Sequence, residues 1–241
     1  SAAEYQRLAR QAIGSIHDQG KTPLIVGGTG LYISALTSGL DFTETAGDEA
    51  LRAQLAAQEA QSPGSLHALL QKEDPAAAAR LHPHDTKRLI RALEVNRLTG
   101  RPMEADFAAG GAGECLYAPR IVGLTMPREL LYNRIEKRVD AMLAQGLVAE
   151  ARGIWARGYD RNLPALQALG YTQLFTHFAG VCSLDEAVEA IKRETRRFAK
   201  RQLTWFRRDE RIVWLDITEY SSSELLDAAC DLLQAEGEKS L

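Results

Sequence analysis

The sequence is short of cysteine, proline and aromatic residues, with 3 Cys, 8 Pro and 7% Phe, Trp and Tyr in 241 residues. Cys115, Cys182 and Cys230 are odd in number and far apart. That spacing argues against a disulfide framework and a C-x-x-C zinc site, and fits free thiols in a reducing compartment. No stretch approaches the roughly 18 uninterrupted apolar residues of a membrane-crossing helix. Residues 1–20 also lack the basic-then-apolar order of a signal peptide, so a cytoplasmic protein without a membrane partner is expected. An excess of one charge is missing too: 29 Lys and Arg stand against 32 Asp and Glu, a net of −3, which as an average discourages nucleic-acid binding. The remainder, 45% apolar and 25% charged, is ordinary for a globular chain. Its length suits one large domain carrying an insertion or a small satellite.

The average hides a local field. Residues 192–211 contain nine basic side chains and three acidic ones, Glu194, Asp209 and Glu210. An approaching anion meets this local charge, whatever the total. On a helix, Arg193, Arg197, Lys200 or Arg201, Thr204 and Arg208 fall on one stripe, with Phe198, Gln202, Leu203, Trp205 and Phe206 turned elsewhere. Cations interleaved with aromatic rings suit single-stranded RNA, whose phosphates take guanidiniums and whose bases stack on rings. A solvated helix with a packed apolar face explains the same pattern.

Along the chain, Ser1 with Glu4 reads as a capping box opening a helix that stops at Gly20. Pro23 to Val26 reads as a strand, Gly27 to Gly30 as a turn, and Leu31 to Gly39 as a helix. This is the grammar of a parallel α/β sheet. From residue 42 to 118 no strand appears; helical stretches are broken at Ser62-Pro63-Gly64, Asp74-Pro75 and Gly100-Arg101-Pro102, and Gly110, Gly111 and Gly113 read as a linker. Arg120 to Thr125 offers a second strand, Pro127 sits at a helix first turn, and Ser183 with Glu186 forms another capping box for a helix reaching Arg208. Ile212 to Leu215 offers a third strand before a last helix from Ser221 to about Glu236. The expected organisation is an α/β core, 1–41 and 119–241, with a helical insertion at 42–118.

Several residues could carry chemistry. Gly20-Lys21-Thr22 imitates the end of a P-loop, but position 15 is serine and the segment follows a helix, so it is rejected as one. Gly27, Gly28, Thr29 and Gly30 lie between a strand and a helix, where backbone N–H groups and the positive helix end converge on an anion; a plain tight turn remains the other reading. Asp85 caps a helix on which Lys87 and Arg91 share a face, beside Arg88. Arg134 and Arg138 repeat that spacing and suit diphosphate or phosphodiester oxygens, unless Glu136 and solvent account for them. His82-Pro83-His84 lacks a third metal ligand nearby and reads as an exposed turn.

Five ordered stretches, KTPLIVGGTGLYISAL (21–36), HPHDTKRLIRALEVNRLTGRP (82–102), RELLYNRIEKRVDAMLAQGLVAEA (128–151), LQALGYTQL (166–174) and KRQLTWFRRD (200–209), resemble the tRNA dimethylallyltransferase family of bacterial type. The resemblance implies a P-loop-type parallel sheet with a mostly helical insertion that grips the anticodon stem-loop of tRNA. It implies transfer of a dimethylallyl group from dimethylallyl diphosphate to N6 of an adenine drawn into a channel, by a monomer. Thr29 would lie near the adenine, with Gly27, Gly28 and Gly30 at the anion, and Arg134 or Arg138 would hold diphosphate. Thr29, Arg134 and Arg138 are thus the catalytic candidates. For tRNA it implies Arg52, Lys87, Arg88, Arg91, Gln167, Gly170, Tyr171, Thr172, Lys200, Arg201, Gln202, Trp205 and Arg207.

The family pattern also has an earlier strand and P-loop holding diphosphate and Mg2+, then an aspartate general base. Ser1 aligns beyond both, so a shortened member is expected, whose magnesium ligands and base belong to the missing segment and whose activity by itself is open. No catalytic aspartate is placed on this sequence. An adenylate isopentenyltransferase acting on free nucleotide and a non-catalytic RNA-binding fragment are the rival expectations.

Overall fold

Local capping chemistry fixes several helix starts. In the computed structural model, which describes residues 1–38, 47–100 and 117–234, the Ser1 hydroxyl accepts from the Glu4 N–H and opens α1 (Ala2–Asp18). The reciprocal half of that capping box does not form, because the Glu4 carboxylate pairs with Arg7 at 2.6 Å. A charge-assisted bond to a guanidinium outcompetes the return bond to a backbone amide. Ser183 and Glu186 do form both halves. The expected Gly110, Gly111, Gly113 linker, Pro102, Cys115 and the boundary at 41–42 lie outside the described residues.

The chain divides into two units, Ser1–Pro119 and Arg120–Leu241. In the first, α1 packs on α2 (Gly30–Thr37) through stacked rings of Tyr5 and Tyr32, 4.2 Å between centroids, and through the Gln6 amide donating to the Ala35 carbonyl. The helices α3 (Glu49–Gln61), α4 (Ser65–Glu73), α5 (Pro75–Arg80) and α6 (Thr86–Thr99) enclose a core of Leu55, Leu66, Leu70, Ala77, Ala78, Leu89, Ala92 and Leu93. Leucines four residues apart on one face, Leu66 with Leu70 on α4 and Leu89 with Leu93 on α6, give this small bundle its apolar seam.

In the second unit β1 (Ile121–Thr125) and β2 (Ile212–Asp216) pair in parallel, Ile121 opposite Ile212 and Thr125 opposite Asp216. Between them come α7 (Arg128–Ala144), α8 (Leu147–Ala156), a 3-10 turn (Pro164–Gln167), α9 (Tyr171–Phe178) and α10 (Leu184–Phe206); α11 (Ser222–Gln234) follows. Val139, Leu147, Ala151, Leu166, Leu174, Phe175, Ala187 and Ile191 form their core. Pro127 is the N-cap of α7, one place before the expected first turn.

The molecule is mostly helical, and its parallel sheet has two strands among the described residues. The strand expected at Pro23–Val26 is not formed. Leu24 and Val26 are exposed there, and a strand is a property of a pair: β propensity without a ladder partner leaves the backbone unbonded. No described helix is long and apolar enough to cross a membrane. Cys182 and Cys230 are free thiols.

Candidate functional site

The 23-residue helix α10 spans about 35 Å at 1.5 Å per residue. Its buried residues are Ala187 and Ile191, both near its start, so it is anchored at one end and increasingly exposed toward the other. The basic charge divides the same way. Lys192 binds Asp140 of α7 at 2.8 Å, Arg196 binds Glu136 of α7 at 2.5 Å, and Arg197 binds Glu194 at 2.7 Å, with Arg193 on the same glutamate. The hydrogen bond it donates to Asp140 holds the Lys192 ammonium above its ordinary pKa. Beyond residue 197 the carboxylates stop: Lys200, Arg201, Arg207 and Arg208 are exposed and have no carboxylate partner among the described residues. Arg211 is again closed off, by Asp209, whose carboxyl that guanidinium's hydrogen bonds hold below its usual value. Phe198 and Trp205 are 40% and 43% exposed on the same open half, and the Arg201 guanidinium lies 6.0 Å from the Phe198 ring. The expected stripe is therefore two surfaces: a neutralised part that clips α10 to α7, and a cationic, aromatic part left open. Gln202, half-buried, lies within that part.

Two other arginines stand clear of this clip. Glu136, the acid nearest to Arg134 and Arg138 in sequence, faces α10 and pairs with Arg196. Two residues on an α-helix are 200° of rotation, so Arg134 and Arg138 project from the side of α7 opposite Glu136 and Asp140. Both are exposed and have no carboxylate partner among the described residues.

Preceding α9, Gly170 is the N-cap at φ 102°, a left-handed conformation that a side chain would strain, and its N–H donates to the Gln173 side chain at 2.9 Å. Tyr171 donates its hydroxyl to Glu150, which pushes the phenol pKa up. Gln167 donates to the Arg161 carbonyl at 2.6 Å, and Thr172 is exposed at the start of the helix. The turn is thus ordered by its own bonds.

In the first unit Thr29 is the N-cap of α2, its carbonyl accepting from Tyr32 and Ile33, while its side chain makes no capping bond. Thr29 and Gly27 are exposed, Gly28 and Gly30 half-buried. First-turn N–H groups of a helix have no partner inside it, so an anion at Gly27–Gly30 is chemically reasonable. Gly20 is the left-handed stop after α1, φ 66°, as the rejection of a P-loop at Gly20-Lys21-Thr22 requires. On α6, Lys87 is exposed, Arg88 binds its own cap Asp85 at 3.3 Å, and Arg91 binds Glu94 at 2.7 Å. Arg52 of α3 reaches the same glutamate, Nε to Oε1 2.7 Å and Nη2 to Oε2 3.0 Å.

Glu94 was not among the residues expected to matter. Its signal was a charge inside the apolar run Ala92-Leu93-Glu94-Val95, all four buried. Burial works against its charge, yet hydrogen bonds from Arg52 and Arg91 and from the Asp48 N–H outweigh it and hold the carboxyl below its ordinary value. His82 and His84 form the expected turn, the His84 N–H donating to the His82 ring at 3.2 Å. Among the described residues no three His, Cys, Asp or Glu side chains form a set that could hold a metal, so the magnesium implied by the resemblance finds no ligand set there.

Comparison with known proteins decides the family: the IPP transferase model matches residues 1–209. The chain belongs to the IPP transferase family. A tRNA dimethylallyltransferase of Moorella thermoacetica is 47% identical over 234 residues, which is 97% of this chain and 72% of that protein. The crystal structure of the tRNA isopentenylpyrophosphate transferase of Bacillus halodurans is 38% identical, with a TM-score of 0.65, covering 98% of this chain and 74% of that one. A eukaryotic dimethylallyltransferase solved while acting on tRNA is 25% identical with a TM-score of 0.76, covering 100% and 64%.

Proposed function

We propose that this IPP transferase moves a dimethylallyl group from dimethylallyl diphosphate to N6 of an adenine beside the anticodon of tRNA. The observation that carries the reading is the end of α10 and the turn after it, where Lys200, Arg201, Arg207 and Arg208 have no carboxylate partner among the described residues and Phe198 and Trp205 are exposed. An enzyme acting on a free nucleotide has little use for such a surface, whereas an unpaired anticodon loop supplies both phosphates and stackable bases. Arg52, Lys87, Arg88 and Arg91 of the helical bundle, with Gln167, Gly170, Tyr171, Thr172 and Gln202, complete the RNA contacts in this reading.

In the reaction the bond from the allylic carbon to the diphosphate oxygen breaks, a carbon–nitrogen bond forms, and the amine releases a proton. Negative charge grows on the departing oxygens, so prearranged cations there lower the barrier most. Arg134 and Arg138, two forked cations on one face of α7, take that role in this reading. In the first unit, the Gly27–Gly30 turn is assigned to anion binding and Thr29 to the adenine by the family resemblance alone. Extruding the adenine costs a few kcal/mol, less from a loop than a duplex, and the α10 contacts offset it. When bound, Mg2+ would neutralise diphosphate charge; no step here is assigned to it.

The test is single-turnover transfer from labelled dimethylallyl diphosphate to tRNA and, in parallel, to AMP. Product on tRNA and none on AMP is expected. Product on AMP with none on tRNA would transfer the chain to the free-nucleotide enzymes, and tight tRNA binding without product would leave an RNA-binding role alone.

A further inference from the structure

We infer that Glu94, which has no exposed surface, is a positioning residue: it fixes the guanidiniums of Arg52 and Arg91 side by side as a preformed receptor for one RNA phosphate. The inference rests on the tRNA-modifying role proposed above.

The carboxylate is fully engaged. Oε1 accepts from Arg52 Nε at 2.7 Å and the Asp48 N–H at 2.9 Å, and Oε2 accepts from Arg52 Nη2 at 3.0 Å and Arg91 Nη1 at 2.7 Å. Two guanidiniums surround one carboxylate, with exposed Glu49 acting more weakly on Arg52, and the Glu94 partner is sealed from solvent. The positive ones are not: the Arg52 and Arg91 side chains are 47% and 40% exposed. A guanidinium carries five N–H donors, so the bonds to Glu94 leave three on Arg52 and four on Arg91. On its other side Arg52 is held against Gly47, where an added Cβ would lie 2.7 Å from Nη2.

A purely structural clip would need less. Arg52 and the Asp48 N–H tie α3 to α6 and suffice to join those elements. Arg91 sits three residues before Glu94 on the same helix and joins nothing to anything. What it adds is a second outward fork in register with the first, with Lys87 a turn earlier on the same face. A long cationic side chain loses rotamer freedom when it binds phosphate, and a partner that has already fixed it removes that cost.

The decisive variant is Glu94→Gln, because positioning and charge predict opposite signs. Losing a negative charge should by itself tighten tRNA binding and steepen its salt dependence. A glutamine that turns an NH2 toward one guanidinium instead releases the receptor, so binding should weaken. The slope of log K against log salt should become shallower by about 0.7, the contribution of one single-strand phosphate. Folding is followed by circular dichroism. In an Arg52→Ala/Arg91→Ala background, where there are no guanidiniums left to position, the same change should no longer weaken binding.

Unchanged or tighter binding by folded Glu94→Gln, or an equal loss in the double-alanine background, would overturn the inference. Should Glu94→Gln not fold, Arg91→Lys keeps both the charge and the clip of α3 to α6. It should weaken binding as Arg91→Ala does, and wild-type affinity would overturn the inference. Failure of the wild-type chain to bind tRNA would instead strike the proposed function itself.

Discussion

The division of α10 into paired and open cations makes a prediction that gross charge does not. Replacing Lys200, Arg201, Arg207 and Arg208 together by alanine removes four cations with no carboxylate neighbour among the described residues. Each single-strand phosphate contact contributes about 0.7 to the salt slope, so four contribute about 2.8. Between 50 and 200 mM salt, a fourfold change, the wild type should lose about 50-fold more affinity than the variant, the fourfold salt ratio raised to the power of about 2.8. Arg197→Ala removes the same unit charge from the same helix, but from a site bonded to Glu194 at 2.7 Å with Arg193 remaining on that glutamate. Its slope should stay within about half of one contact of the wild type. Filter binding or anisotropy with an anticodon stem-loop at several salt concentrations measures both. If Arg197→Ala lowers the slope by as much as each of the four open cations does, then net charge governs binding and the reasoning from ion-pair geometry fails.

Further outcomes follow from the other elements. Arg134→Ala and Arg138→Ala should raise KM for dimethylallyl diphosphate or lower kcat by roughly 10-fold or more, the loss of a charge-assisted hydrogen bond, without changing tRNA affinity; equal effects on tRNA binding would place them on RNA instead. Thr29→Ala should leave the unfolding midpoint almost unmoved, because its hydroxyl makes no capping bond, while reducing turnover; by contrast Ser183→Ala should cost about 1 kcal/mol of stability. For acid stability, the folded-state pKa of Glu94 lies below its ordinary value of 4.5, so its contribution is complete above that value and disappears as pH falls through the lowered one. Denaturant midpoints should therefore drop below about pH 4.5, and less steeply in Glu94→Gln.

What the sequence made legible was whatever depends on neighbours along the chain. Ser183 with Glu186, Asp85 as a cap, the stop at Gly20 and the strands expected at 120–125 and 212–215 are local chemistry or strong β propensity; the structure has them all, the strands at 121–125 and 212–216, and it adds their parallel pairing. Pro23–Val26 has the same propensity but no ladder partner among the described residues, and propensity without a partner does not make a strand. The Glu4 half of the first capping box failed for a related reason: a guanidinium three residues on was the stronger donor.

The ion pairs were the larger blind spot. Charge counting sees nine basic residues near the end of α10 as one patch, because the acids that cancel four of them, Glu136, Asp140, Glu189 and Glu194, sit partly on another helix, as far as 60 residues away. Only packing α7 against α10 shows that Glu136 serves Arg196, while Arg134 and Arg138 project from the other side of α7. The same holds for Glu94, whose two guanidiniums come from its own helix and from 42 residues upstream. In each case a buried or half-buried carboxylate decides which arginines stay open to a phosphate. Burying an acid is costly unless a cation meets it, so the placement of a few acids through the fold selects the cationic surface. A substitution at Glu136 should therefore alter the surface twice: Glu136→Gln frees Arg196 as a new exposed cation and loosens α10 from α7. The salt slope of tRNA binding should then steepen by up to one contact while the melting temperature falls slightly, within the range of a single exposed ion pair, about 0–1 kcal/mol.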